Sequence, residues 1–175
     1  MPGSTDVAIF DGTNSKNALI NANANVAGVA MNVGYTGTIT QGAGFTLTVG
    51  SSSFSQGAGT FQGGTANITL NGGFSLSGGS FTATSATLTV TGDFTHSAGG
   101  LFLHNSGTVS FATSTATVDV AVSEAFYNVT FASGTTPTSA TGAKSLCNLL
   151  KAGVGHQKVF TTNAEASSRL LTRTG

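Results

Sequence analysis

Three carboxylates in the middle of the chain, Asp93, Asp119 and Glu124, are the residues from which hydrolytic chemistry would have to be built. Glycan-cleaving sites need such groups clustered on one face, as an acid and base pair or around a cation. Asp93 falls at a glycine corner and Asp119 at an outward strand position, so these charges read as solvated. A zinc site wants three or four converging ligands, and the histidines supply no such set. His96 aligns with Leu76 and Gln56, two residues after a phenylalanine column, and is expected to point toward a corner. His104 follows Phe102 and Leu103 with no carboxylate close in sequence. The GGxGxD signature of calcium-binding coils is absent. Cys147 is the single cysteine, which excludes an internal disulfide and a thiolate metal cluster. The expectation is a protein without a catalytic, cofactor or metal site.

The elements that would position these residues are more legible than the residues themselves. Residues 54–73 (FSQGAGTFQGGTANITLNGG) and 74–93 (FSLSGGSFTATSATLTVTGD) align without a gap and are identical at seven of twenty positions. The spacing continues through 94–111 with one extra residue. Twenty residues holding short alternating runs and glycine corners are too few for a βαβ unit and carry no helical period. They fit one coil of a parallel β-solenoid, expected to be right-handed from general chirality preference. A meander sandwich is the competing fold, but its strands have no reason to repeat in sequence.

Stacked coils place like residues over like. Four inward columns follow: Phe54, Phe74 and Phe94; Phe61, Phe81 and Phe102; Ile68, Leu88 and Val109; Leu70, Val90 and Phe111. Val118 and Val120 follow Phe111 at the offsets by which Leu88 and Val90 follow Phe81, which would carry the aliphatic columns onward. Gly59, Gly79 and Gly99, and Gly72 with Gly92, recur at twenty-residue spacing and are expected to supply positive-φ corners. Between the inward residues, two outward columns of hydroxyls emerge: Thr46, Asn67, Thr87 and Thr108, then Thr48, Thr69, Thr89 and Ser110. Threonine suits an exposed strand by its β-branching. The array also resembles the threonine faces of ice-binding solenoids, which implies a surface that orders water.

Charged residues make up only 7% of the 175 residues, against 39% apolar ones. The formal net charge is zero, so no extended electrostatic grip on nucleic acid or an anionic membrane is expected. Residues 1–134 carry the acidic excess and 135–175 the basic one, through Lys144, Lys151, Lys158, Arg169 and Arg173 against Glu165. This divides the chain into a β-solenoid over 1–134 and a tail or cap over 135–175. SATGAKSLCNLLKAG, at 139–153, is read as a short helix with Leu146, Leu149 and Leu150 on one side, and NAEASSRLL, at 163–171, as a second. Cys147 would be packed on the first. No run approaches the roughly 20 apolar residues of a membrane span, and the first residues lack signal-peptide character.

PGSTDVAIFDG at 2–12, the TLTV and GTVSF strands and FYNVTF at 126–131 resemble the β-strand repeats of large bacterial surface proteins, the autotransporter-associated and filamentous-haemagglutinin-like families. The likeness covers residues 2–134. It implies a piece of a longer exported polypeptide, acting at the cell surface as a structural, fibre or adhesive element without chemistry of its own. The partner is then the chain itself, end to end or laterally, or a cell-surface glycan. An ice-binding solenoid is the first alternative, and a polysaccharide-binding or polysaccharide-cleaving β-helix the second.

Overall fold

The computed structural model describes residues 2–131 apart from 114, 122 and 123, and the backbone of three further strands between 138 and 161. Every regular element among the described residues is a β-strand. The first coil comprises β1 (Val7–Phe10), β2 (Ala18–Ile20) and β3 (Ala24–Val26), and the second β4 (Gly28–Met31), β5 (Thr38–Gln41) and β6 (Leu47–Val49). The third has β7 (Phe54–Gln56), β8 (Thr60–Gln62) and β9 (Ile68–Leu70), and the fourth β10 (Phe74–Leu76), β11 (Gly79–Thr82) and β12 (Thr87–Val90). The fifth has β13 (Phe94–His96), β14 (Gly100–Leu103) and β15 (Thr108–Phe111), and the sixth β16 (Thr117–Val120), β17 (Glu124–Phe126) and β18 (Asn128–Phe131). Beyond them lie β19 (Thr138–Ser139), β20 (Ser145–Lys151) and β21 (His156–Thr161).

Three sheets form the faces of a prism. Sheet A runs β1-β4-β7-β10-β13-β16-β19, sheet B β2-β5-β8-β11-β14 and sheet C β3-β6-β9-β12-β15-β18. Every pairing within these three sheets is parallel, which removes the meander sandwich. Phe54, Phe74 and Phe94 pair directly at twenty-residue intervals. Phe61, Phe81 and Phe102 pair in sheet B, and Ile68, Leu88 and Val109 with Leu70, Val90 and Phe111 in sheet C, the last interval in each column being one residue longer.

The rings form two stacks at right angles. Within the first, centroids lie 5.8 and 4.8 Å apart with planes near parallel. Within the second they lie 4.9 and 5.7 Å apart. Between stacks the contacts are edge-on, as in Phe74–Phe81 at 4.8 Å and 70°. Offset stacking and edge-to-face packing are the arrangements that the ring quadrupole favours. Burying each ring contributes about 1.5–3 kcal/mol before entropy is counted.

Three expectations are corrected. Val118 and Val120 do not extend the aliphatic columns: they pair with Phe94 and His96 in sheet A, and Val129 and Phe131 continue sheet C instead. Five residues separate β15 from β16 where three separate β12 from β13, so the chain enters sheet A later than the earlier period would place it and Val118 falls opposite Phe94. Gly59 and Gly79 do adopt positive φ, 71° and 75°, but Gly72, Gly92 and Gly99 do not. Gly72 and Gly92 are required by space, since a Cβ at Gly92 would lie 2.8 Å from the backbone of Gly72. The helix expected around Leu146, Leu149 and Leu150 is the strand β20, antiparallel to β21, which is itself antiparallel to β17. Pairing with an existing sheet edge satisfies backbone groups that an isolated short helix would leave to water. The second expected helix, 163–171, lies outside the described residues.

Phe74→Ala is expected to destabilise the protein by about 3–5 kcal/mol, and Phe74→Asp to abolish cooperative unfolding. Urea denaturation followed by circular dichroism reads both. A change within about 0.5 kcal/mol for Phe74→Ala would contradict the stacked core.

Candidate functional site

Sheet C presents its outward side chains as a registered lattice. Asn25, Thr48, Thr69, Thr89, Ser110 and Thr130 pair in one unbroken ladder. A second row holds Thr87, Thr108 and Asn128. Thr46 and Asn67 stand one residue before their strands at its foot, where the Leu47 amide donates to the Asn67 carbonyl at 3.2 Å. Coils lie about 4.8 Å apart and alternate residues along a strand about 6.6 Å apart, so the hydroxyls occupy a regular two-dimensional grid. The threonines of the central coils are half-buried, each flanked by its neighbours above and below. The two predicted columns are therefore adjacent on one face.

Polar residues that immediately precede strands tie successive coils together. Asn17, Asn23, Asn67 and Asp93 accept, through Oδ1, the amides of Thr38, Thr46, Thr87 and Thr117 at 2.9, 3.0, 3.2 and 2.8 Å. Each side chain thus caps the amide at, or one residue before, the start of a strand one coil later, a group that would otherwise lack a partner at the corner. Asp93 spends its carboxylate in this way. Asp119 stands outward beside Thr95.

The interior holds a third arrangement that spacing did not expose. His96 and Glu124 are 4% and 3% exposed, and His96 Nδ1 meets Glu124 Oε2 in a buried ion pair. His96 Nε2 lies 2.9 Å from the Gly100 carbonyl, and the other Glu124 oxygen accepts the Ala125 amide at 3.1 Å. The Glu124 hydrogen bond holds the imidazole above its usual pKa, against the opposing effect of burial. His96 thus lies inside the prism with its Nε2 against the corner at Gly100, and Glu124 is not a solvated charge. Alternation carried the missing signal: His96 stands two residues after inward Phe94, and Glu124 two before Phe126, which is buried. His104 stays at the surface, 5.6 Å from the Tyr127 ring. Nothing here opens the pair to a substrate, and no group of three or more potential metal ligands occurs among the described residues.

At the first coil the interior is open. A cavity of about 170 Å³ is lined by Ala8, Phe10, Ala18, Ile20, Ala24 and Val26, among others. These are the inward residues that a further coil would cover. Compared with protein-family models, with curated proteins and with solved structures, the chain matches none. The resemblance to bacterial surface repeats thus rests on strand texture alone.

Glu124→Ala should cost about 3–5 kcal/mol, because it leaves the buried imidazole without its partner at Nδ1 and opens a gap beside it. Asp93→Ala, which removes one capping bond at the surface, should cost about 1–2 kcal/mol. Chemical denaturation at pH 6 compares the two, and equal costs would mean that the interior pair is no more than a surface contact.

Proposed function

We propose that this chain is a non-catalytic structural or adhesive module of an extracellular surface or fibre protein. The carrying observation is the run of in-register columns through six coils of sheet C, which makes stiffness and uniform faces the main product of the sequence. Among the described residues, Asp93, His96, Glu124 and His104 are occupied with capping, pairing or stacking, rather than converging on an accessible cleft.

Self-association is part of this reading. Among the described residues, the outer edges of β1, β2 and β3 pair with no strand and surround an apolar opening, and unpaired parallel edges are templates for further strands. The second copy is the preferred occupant on this reading, with a cell-surface glycan on an outward face as the other partner. Size-exclusion chromatography with light scattering, run across protein and salt concentrations, should detect multimers that Phe10→Lys abolishes. A strictly monomeric profile throughout overturns the association.

Ice binding is a second reading, favoured by one observation: the hydroxyl ladder of sheet C is continuous from Thr48 to Thr130. Thermal hysteresis and crystal shaping test it. Activity that Thr89→Leu removes would support this reading, and the absence of hysteresis would end it.

A further inference from the structure

We propose that His96 and Glu124 form a proton-dependent latch that holds the sixth coil on the fifth, and that loss of the shared proton releases the sixth coil locally. The two residues sit on successive coils, His96 at the end of β13 and Glu124 at the start of β17. Each nitrogen of the His96 ring faces an oxygen: Glu124 Oε2 at Nδ1 and the Gly100 carbonyl at Nε2. A backbone carbonyl accepts only, so Nε2 must carry its hydrogen. A second proton must then lie between Nδ1 and the carboxylate. Whether it rests on the ring or on the carboxyl, the pair holds one proton more than a neutral imidazole beside a carboxylate. In that state the pair is electrically neutral.

Removing that proton leaves a net negative charge in a site nearly closed to water, with a ring lone pair facing an oxygen. Among the described side chains around the pair, none is cationic. Leu76 and Val120 pair with His96 from β10 and β16, and β14 contributes Gly100. Asp119, next to Val120, stands on the outward row. On β21, Phe160 pairs opposite Glu124 and Lys158 opposite Phe126, with His156 at the strand's start.

The sign follows from the direction of the imidazole shift. The folded value is raised above the ordinary one of about 6.5, so the latch is fully made below the ordinary value. It is lost as pH rises through the folded one. Coils three and four carry Gln56 and Leu76 at the corresponding position and have no such dependence. Release of the sixth coil would bare the edge of β15 and the rings of Phe94 and Phe102, on which Phe126 packs, leaving a pairing surface at that level.

Hydrogen exchange read by mass spectrometry on the whole chain tests this, after correction for the intrinsic pH dependence of exchange. Protection across 117–131 should fall at least tenfold between pH 6 and pH 9, while 60–90 keeps its protection. The double variant His96→Leu with Glu124→Leu should remove that difference, since leucine already fills this column at Leu76. His104→Gln and His156→Gln should leave it intact. Nitrogen-15 spectra of wild-type His96 give a measure that needs no variant. A titration midpoint above 6.5, with Nε2 protonated throughout, supports the latch. A midpoint at or below 6.5 overturns it, as does an unchanged pH profile in the folded double variant.

Discussion

Vertical registry is the constraint on which the rest of this structure depends. In a parallel solenoid, each side chain has its counterpart one coil above and one below, so the cross-section must repeat. A phenylalanine at one level asks for a flat or similarly sized group at the next, which Phe54, Phe74 and Phe94 satisfy. Corners must turn at the same place on each level, and there the backbones approach so closely that Gly92 has no room for a Cβ. The asparagines before the strands obey the same geometry, because a short side chain reaches the next coil only when the levels are aligned. Registry thus fixes core, corners and caps together.

The same constraint decided what could be read in advance. A column is visible in sequence wherever the period holds, and the gap-free twenty-residue alignment of 54–73 with 74–93 exposed both ring stacks and both hydroxyl rows. Where the corner lengthens, the period misleads. Val118 and Val120 have the right spacing from each other but belong to another face, because alternation says which side a residue takes and not which sheet it joins. The pairing of His96 with Glu124 was hidden for a different reason. Two residues 28 apart in sequence meet only once two successive corners are known. The tail erred in another way, since local leucine spacing cannot see the free edge that β21 finds on β17.

Polar groups inside the prism serve its corners, even on the levels where the repeat is most regular. Gln41, Gln56, Thr84, His96 and Glu124 are buried, and most of their bonds go to corner carbonyls. Gln41 Nε2 donates to the Phe45 carbonyl at 2.7 Å and Thr84 Oγ1 to that of Ala66 at 2.6 Å. These groups fasten bends that regular strand pairing leaves unserved. One inward column therefore reads Gln56, Leu76, His96 and Val120, with shape conserved more closely than polarity. Geometry tolerates such variety because the polar members find partners beside them: Gln56 Nε2 donates to the Gly59 and Ser80 carbonyls, and His96 meets Glu124 and Gly100.

The inter-coil hydrogen bonds lie along the long axis, and this orientation governs how the module carries load. Tension applied between its ends meets the levels in series, like links in a chain, so the strength of the whole equals that of its weakest junction. Junctions within the ring stacks are reinforced by broad aromatic overlap. Where Ala8 sits beneath Val29 and Ala24 beneath Leu47, the overlap is small. Rupture under pulling force should therefore begin at the first junction and travel inward, leaving the aromatic middle as the last part to yield.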